Sequence, residues 1–156
     1  MIEPGGAGVR IRTATDSDLD AVMALEQASF PASAWERGTM QAEIASEWGR
    51  YIIAVDGDGR ALGYAGLRAV GVEGDVQTIA VAEGARGRGI GRALLAELLA
   101  EASRRGVREL FLEVRADNDV ARGLYASVGF EEIGVRPRYY QPEDVDAVVM
   151  KRTEQP

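Results

Sequence analysis

The chain has no cysteine and no histidine, and of its 18 basic residues only Lys151 is a lysine. Without cysteine there can be no disulfide, no thiolate metal site and no sulfur nucleophile. Without histidine, any general base must be a carboxylate, an amine, a tyrosine or water. No metal is expected. No stretch approaches the ~18 consecutive apolar residues of a membrane span. The opening Met1-Ile2-Glu3-Pro4-Gly5-Gly6 lacks the basic and apolar regions of a secretory signal, so the sequence reads as cytoplasmic with no membrane partner. A formal charge of −7 argues against nonspecific nucleic-acid binding and suits a basic peptide or protein as partner.

What is present is a 156-residue chain, 46% hydrophobic and 28% charged, the profile of a single soluble domain with a sizeable core. Residues 9–151 are expected to form it, with 1–8 and 152–156 as loose ends. A monomer is the default expectation. The 17 arginines are read as compositional bias.

Residues 9–12 alternate as a first strand. Thr15 or Asp16 can cap a helix carrying Leu19, Val22, Met23, Leu25 and Glu26 toward Phe30, broken by Pro31. A second helix spans 35–46, with Met40 and Ile44 on one face. Two strands, 51–55 and 61–67, flank Asp56-Gly57-Asp58-Gly59-Arg60 as a hairpin. A strand over 76–81 precedes a helix with Leu94, Leu95, Leu98, Leu99 and Ala102 on one stripe, stopped at Gly106. Residues 108–115 form a strand on which Leu110, Leu112 and Val114 face one way and Phe111, Glu113 and Arg115 the other. Asn118 or Asp119 caps a last helix to Val128, and strands at 131–136 and 147–150 close the chain. The order β-α-α-β-β-β-α-β-α-β-β predicts an α/β fold: a mixed sheet of about seven strands with about four helices on its two faces.

Between the 76–81 strand and its helix lies Arg86-Gly87-Arg88-Gly89-Ile90-Gly91-Arg92. A glycine-rich turn that opens a helix leaves outward-pointing N–H groups at the positive end of the helix dipole, a phosphate-binding device. The dinucleotide fingerprint fails on spacing, because Gly91 stands where the third glycine should fall one residue later. The nucleotide P-loop fails because Ile90 stands at the lysine position. What remains, Arg86-x-x-Gly89-x-Gly91 after a strand, resembles the acyl-CoA pyrophosphate loop of the GNAT acetyltransferase superfamily. The element order matches that fold along nearly the whole chain. Narrower motifs are Leu112-Glu113-Val114-Arg115-Ala116-Asp117-Asn118, Leu124-Tyr125 through Gly129-Phe130, Arg136-x-Arg138-Tyr139-Tyr140, and Phe30-Pro31 with Trp35. These resemble the RimI-type ribosomal-protein alanine N-acetyltransferases. Glu83 in place of a usual proline, Gly87 in place of a common arginine, and a long stretch before Trp35 are departures from that pattern.

The resemblance implies acetyl-CoA as cosubstrate and the N-terminal peptide of a ribosomal protein as partner. The loop amides of Gly87, Arg88, Gly89, Ile90, Gly91 and Arg92 would hold the pyrophosphate. Ile79, Ala80 and Val81 would offer strand-like backbone bonds to the pantetheine arm. Asn118 would contact the cofactor, unless it simply caps its helix. Glu113, charged in an otherwise apolar strand, is the implied general base; the same pattern fits a solvated face or an arginine pair. Tyr125, whose phenol has a reference pKa of ~10, is the implied general acid, unless it only packs its ring. Tyr139 and Tyr140 are candidate walls of a peptide groove, and Glu143 and Asp144 could attract a basic tail. Two other functions fit the same residues: transfer to a small amine, or acyl-CoA binding without turnover.

Overall fold

The computed structural model describes residues 8–154, so most of the two expected loose ends lies outside the described residues. The elements follow the expected order. They are β1 (Arg10–Thr13), α1 (Leu19–Ser29), α2 (Arg37–Ala45), β2 (Gly49–Val55), β3 (Ala61–Val70), β4 (Glu73–Val81), α3 (Ile90–Arg104), β5 (Glu109–Arg115), α4 (Asp119–Ser127), β6 (Glu131–Tyr140) and β7 (Val145–Thr153). Five strands are longer than their apolar pattern suggests. β2, β3, β4, β6 and β7 extend through polar and glycine residues because each backbone N–H and C=O still needs a partner in the sheet. Arg152 and Thr153, set aside in the sequence as part of a loose end, belong to β7, and the Glu154 N–H donates to the Arg108 carbonyl at 2.8 Å.

A short 3-10 turn at Asp16–Asp18 leads into α1. The Thr15 N–H donates to the Asp18 carboxylate at 2.8 Å, and both terminal nitrogens of Arg12 donate to the same group. Those bonds hold the Asp18 carboxyl at about 2, well below the ordinary range. They tie the end of β1 to the start of the helical layer.

The seven strands form one sheet in the order β1-β2-β3-β4-β5-β7-β6. Every neighbouring pair is antiparallel except β4 and β5, which run parallel over just Glu73↔Glu109, Gly74↔Leu110 and Asp75↔Phe111. Beyond that point the two strands part. The β3–β4 register slips there too: Gly66 faces Thr78 but Leu67 faces Val76, leaving Gln77 as a bulge. A bulge bends its strand, and this one falls just past the last β4–β5 pair. The sheet is therefore zipped at one end and split at the other.

The period-2 alternation of β2 and β3 feeds two cores. Ile52, Ala54, Ala65 and Leu67 pack with Leu94, Leu95 and Leu98 of α3 and with Leu110, Leu112 and Val114 of β5. Tyr51, Ile53, Val55 and Tyr64 face the other way, against Val22 and Met23 of α1 and Met40 of α2. On this second face the Tyr51 ring lies flat across its cross-strand partner Gly66. A Cβ there would run into the ring, so any larger residue must displace Tyr51. Tyr51 stacks on Tyr64 at 6.4 Å between centroids. The α1–α2 face of the split is where a cavity opens.

Candidate active site

The split between β4 and β5 is the mouth of a cavity of about 780 Å³. Its β4 wall carries polar backbone as well as side chains. The Ala82 N–H donates to the Leu62 carbonyl at 2.8 Å, so by strand alternation Ala80 pairs with its register partner Tyr64. The backbone groups of Ile79 and Val81 then point the other way, into the gap that β5 has vacated. Of the three residues expected to offer backbone bonds there, Ala80 is committed to β3. The Val81 carbonyl accepts from Arg86 Nε at 3.3 Å.

Beyond Val81 the chain makes a 3-10 turn over Glu83–Ala85 and enters the glycine loop. Gly87 and Gly89 both have φ of +78°, the left-handed region that L side chains rarely adopt, and Gly89 is the N-cap of α3. Among the described residues no acceptor takes the backbone N–H of Gly87, Arg88, Gly89, Ile90, Gly91 or Arg92. The loop is thus a row of six free donors at the positive end of a 15-residue helix, a fitting cradle for a diphosphate. Arg88 is exposed, while Arg92 donates to Ser127 Oγ at 3.1 Å and links the loop to α4.

The side-chain groups gather from further away. Glu113 comes from β5, Tyr125 from α4, Asn118 from the N-cap of α4, and Arg136, Tyr139 and Tyr140 from β6; all line the cavity. Arg136 donates to Glu113 Oε2 at 3.2 Å, and Glu113 Oε1 has no partner among the described residues. Tyr125 is buried, its ring edge-on to Phe130 at 5.8 Å, and burial pushes its phenol up to about 12. Its hydroxyl has no hydrogen-bond partner among the described residues, which leaves it available to whatever enters. Asn118 Oδ1 accepts from the Ala121 N–H at 3.1 Å, so the helix cap is formed and only its amide nitrogen remains free.

Tyr139 and Tyr140 reach the cavity through an irregularity in β6. The register slips between Arg136 and Tyr140, where Arg138 sits at φ +55° and donates its N–H to Asp146 at 2.9 Å. The two rings meet edge to face at 5.1 Å, with Arg136 over Tyr139 and Arg115 over Tyr140. Burial and the nearby Glu113 push the Tyr140 phenol up to about 12. Glu143 and Asp144, expected to attract a basic tail, are already engaged. Glu143 pairs with Arg115 at 3.0 Å and Asp144 with Arg138 at 3.6 Å.

Several wall residues escaped the sequence reading. Glu26 of α1 is 2% exposed and accepts from the Tyr64 hydroxyl, from Thr78 Oγ1 at 3.4 Å and from the Trp35 N–H at 3.1 Å. It clamps the segment between α1 and α2 to the sheet. The signal was a carboxylate standing on an otherwise apolar helical stripe. Gln77, at the bulge, accepts from the Tyr51 hydroxyl at 2.8 Å, and Asp75 precedes it on the same wall. Nothing in the local pattern marks these two.

The split parallel pair leaves a gap between strands, the row of free amides follows the end of β4, and a carboxylate and a phenol line the cavity at the split. Residues 19–130 match the Acetyltransferase (GNAT) family. The chain belongs to that family. It is an acetyl-CoA-dependent N-acetyltransferase with the GNAT fold. The chain is 41% identical to N-alpha-acetyltransferase RimI of Mycobacterium tuberculosis, over 94% of this chain and 90% of the relative. It is 43% identical to the uncharacterized protein ML0378 of Mycobacterium leprae, of which it spans only 41% of the length. Among solved structures, the ribosomal-protein-S18-alanine N-acetyltransferase of Escherichia coli superposes with a TM-score of 0.85 at 33% identity, covering 93% of each chain. Among the described residues no helix of this GNAT enzyme is long and apolar enough to cross a membrane.

Proposed function

We propose that this enzyme acetylates the N-terminal α-amine of a protein, with the alanine terminus of a ribosomal protein as acceptor, the activity named for its RimI-type relatives. The observation that carries the reading is that Glu113 and Tyr125 line one cavity at the split of β4 and β5, while α4, which carries Tyr125, is bonded to the amide-rich loop through Ser127 and Arg92. In this reading the loop amides from Gly87 to Arg92 hold the pyrophosphate of acetyl-CoA. The free groups of Ile79 and Val81 hold the pantetheine arm as an added strand would, with the Arg86 side chain withdrawing from the Val81 carbonyl. The thioester then lies at the split, and the acceptor enters from the side of Tyr139 and Tyr140.

The reaction is direct transfer. The neutral amine nitrogen attacks the thioester carbonyl carbon, forming the C–N bond, and collapse of the tetrahedral adduct breaks the C–S bond. The amine proton passes to Glu113, directly or through a water, and the departing thiolate takes the Tyr125 proton. A phenol raised to about 12 by burial is fully protonated at neutral pH, the state an acid needs. An α-amine with a reference pKa of ~8 costs about 1.4 kcal/mol to hold neutral at pH 7, against ~4.6 kcal/mol for lysine. A site whose bases are carboxylates, with no histidine, suits the easier amine. With no cysteine in the chain, no acetyl-thioester enzyme intermediate forms.

The deciding experiment is a mass-spectrometric acetylation assay over a panel of N-terminal peptides, internal-lysine peptides and small amines. Preferential modification of the α-amine of alanine-starting peptides supports this reading; a preference for lysine or a small amine replaces it.

A further inference from the structure

Five charged side chains line the cavity: Glu26, Asp75, Glu113, Arg115 and Arg136. Both cations are taken, Arg136 by Glu113 at 3.2 Å and Arg115 by Asp117 and Glu143 at 3.1 and 3.0 Å. Glu26 is buried and satisfied by neutral donors. Asp75 is different. It is exposed to the cavity and has no ion pair or side-chain hydrogen bond among the described residues. The basic residue opposite it on β3, Arg68, pairs with Glu43 at 3.5 Å. The surroundings of Asp75 are themselves negative: partial burial, Glu113 and Glu73 push its carboxyl above the ordinary value, against a smaller opposing pull from Arg68. A cation arriving there relieves like-charge repulsion as well as making a new pair.

Its position gives the register of such a cation. Asp75 stands opposite Phe111 in the last β4–β5 pair, and Glu113 lies two residues further along β5. At ~3.3 Å per residue that is about 7 Å, the length of two residues of extended chain. With an acceptor amine at Glu113 and its chain running away from the phosphate loop, the side chain reaching Asp75 is the second or third.

Resting on the acceptor reading above, we propose that Asp75 is a specificity-determining residue that pairs with a basic side chain at the second or third position of the acceptor peptide. It takes the role that Glu143 and Asp144 cannot fill while bound to Arg115 and Arg138.

The test is steady-state kinetics at saturating acetyl-CoA with alanine-starting hexapeptides carrying Arg, Gln or Glu at positions 2 and 3. The enzymes compared are wild type, Asp75→Asn and Asp75→Lys. Wild type is expected to favour Arg over Gln about tenfold in kcat/KM, through KM with kcat nearly level, and the preference falls as salt is raised. Asp75→Asn reduces it to within about twofold. Asp75→Lys turns the preference toward Glu, a gain that a misfolded variant could not show. Brisk turnover of Arg and Gln peptides at equal rates by wild type, or an undiminished Arg preference in Asp75→Asn, overturns the role of Asp75 alone. Failure of wild type to acetylate any of the peptides overturns the acceptor reading, and this proposal with it.

Discussion

The two ends of the cleft are built from different materials. At the loop end, binding groups are backbone: six N–H donors from consecutive residues, aimed by two glycines at φ +78° and by the helix that follows. At the end proposed for the acceptor they are side chains drawn from α1, β4, β5, α4 and β6, supported by a buried layer of Tyr51, Tyr64 and Glu26. Backbone donors cannot be swapped by substitution, so the loop end suits an invariant ligand such as a diphosphate. Side chains can be exchanged one at a time, so the acceptor end is where selectivity can differ between enzymes sharing this fold. The parallel β4–β5 pair, only three residues long, closes the sheet at the end of β4 remote from the loop.

Substitutions can break that division or sharpen it. The largest effect is expected for Glu113→Gln, which keeps the shape but removes the proton acceptor. kcat on an alanine peptide should fall by roughly 10²–10³-fold, with acetyl-CoA affinity unchanged. A wild-type rate from pH 6 to 9 would remove Glu113 from proton transfer. Tyr125→Phe should lower kcat by about 10²-fold in stopped assays. Because burial raises this phenol to about 12, its hydroxyl stays protonated up to about pH 11 and is lost only above that. The wild-type rate should therefore rise through pH 8 as the α-amine deprotonates, with no falling limb by pH 10. A descending limb centred near 9 would contradict the assignment.

Gly66→Ala drives a methyl into the Tyr51 ring. We expect a loss of about 1–3 kcal/mol in urea unfolding, together with a raised peptide KM as Gln77 loses its tyrosine partner. An unchanged unfolding midpoint would show that the ring moves aside freely. Gly89→Val places a β-branched residue at φ +78°, a strain of about 1–2 kcal/mol, so calorimetry should find acetyl-CoA bound roughly tenfold more weakly. If peptide KM changed and acetyl-CoA binding did not, the two ends would have been assigned the wrong way round. Ser127→Ala removes one exposed bond from Arg92 and should weaken acetyl-CoA binding by no more than about twofold.

The loop, the element order and the alternation of β5 were legible because each is a local pattern. Gly87, Gly89 and Gly91 lie within five residues, and the Leu94–Leu98 stripe within one helix. Glu113 and Tyr125 were also singled out, one as a charge in an apolar strand and the other through a family motif, and the fold sets both in the lining of one cavity. The pairing of Glu113 with Arg136 joins residues 23 apart, and the clamp of Glu26 on Trp35, Tyr64 and Thr78 reaches across as many as 52. No short-range spacing encodes such contacts. Glu143 and Asp144 show the converse: their charge was legible, but the arginines that occupy them were not.

By itself the sequence determined the periodicities that make seven strands and four helices, and the glycine spacing that leaves amides bare at a helix start, since both follow from steric limits on neighbouring residues. Only the folded sheet decided where β4 and β5 part, which of their backbone groups are left free, and which of the cavity's charges lack a partner. Those outcomes depend on register and distance between segments far apart in the chain, and these arise only when the two cores close around a common sheet.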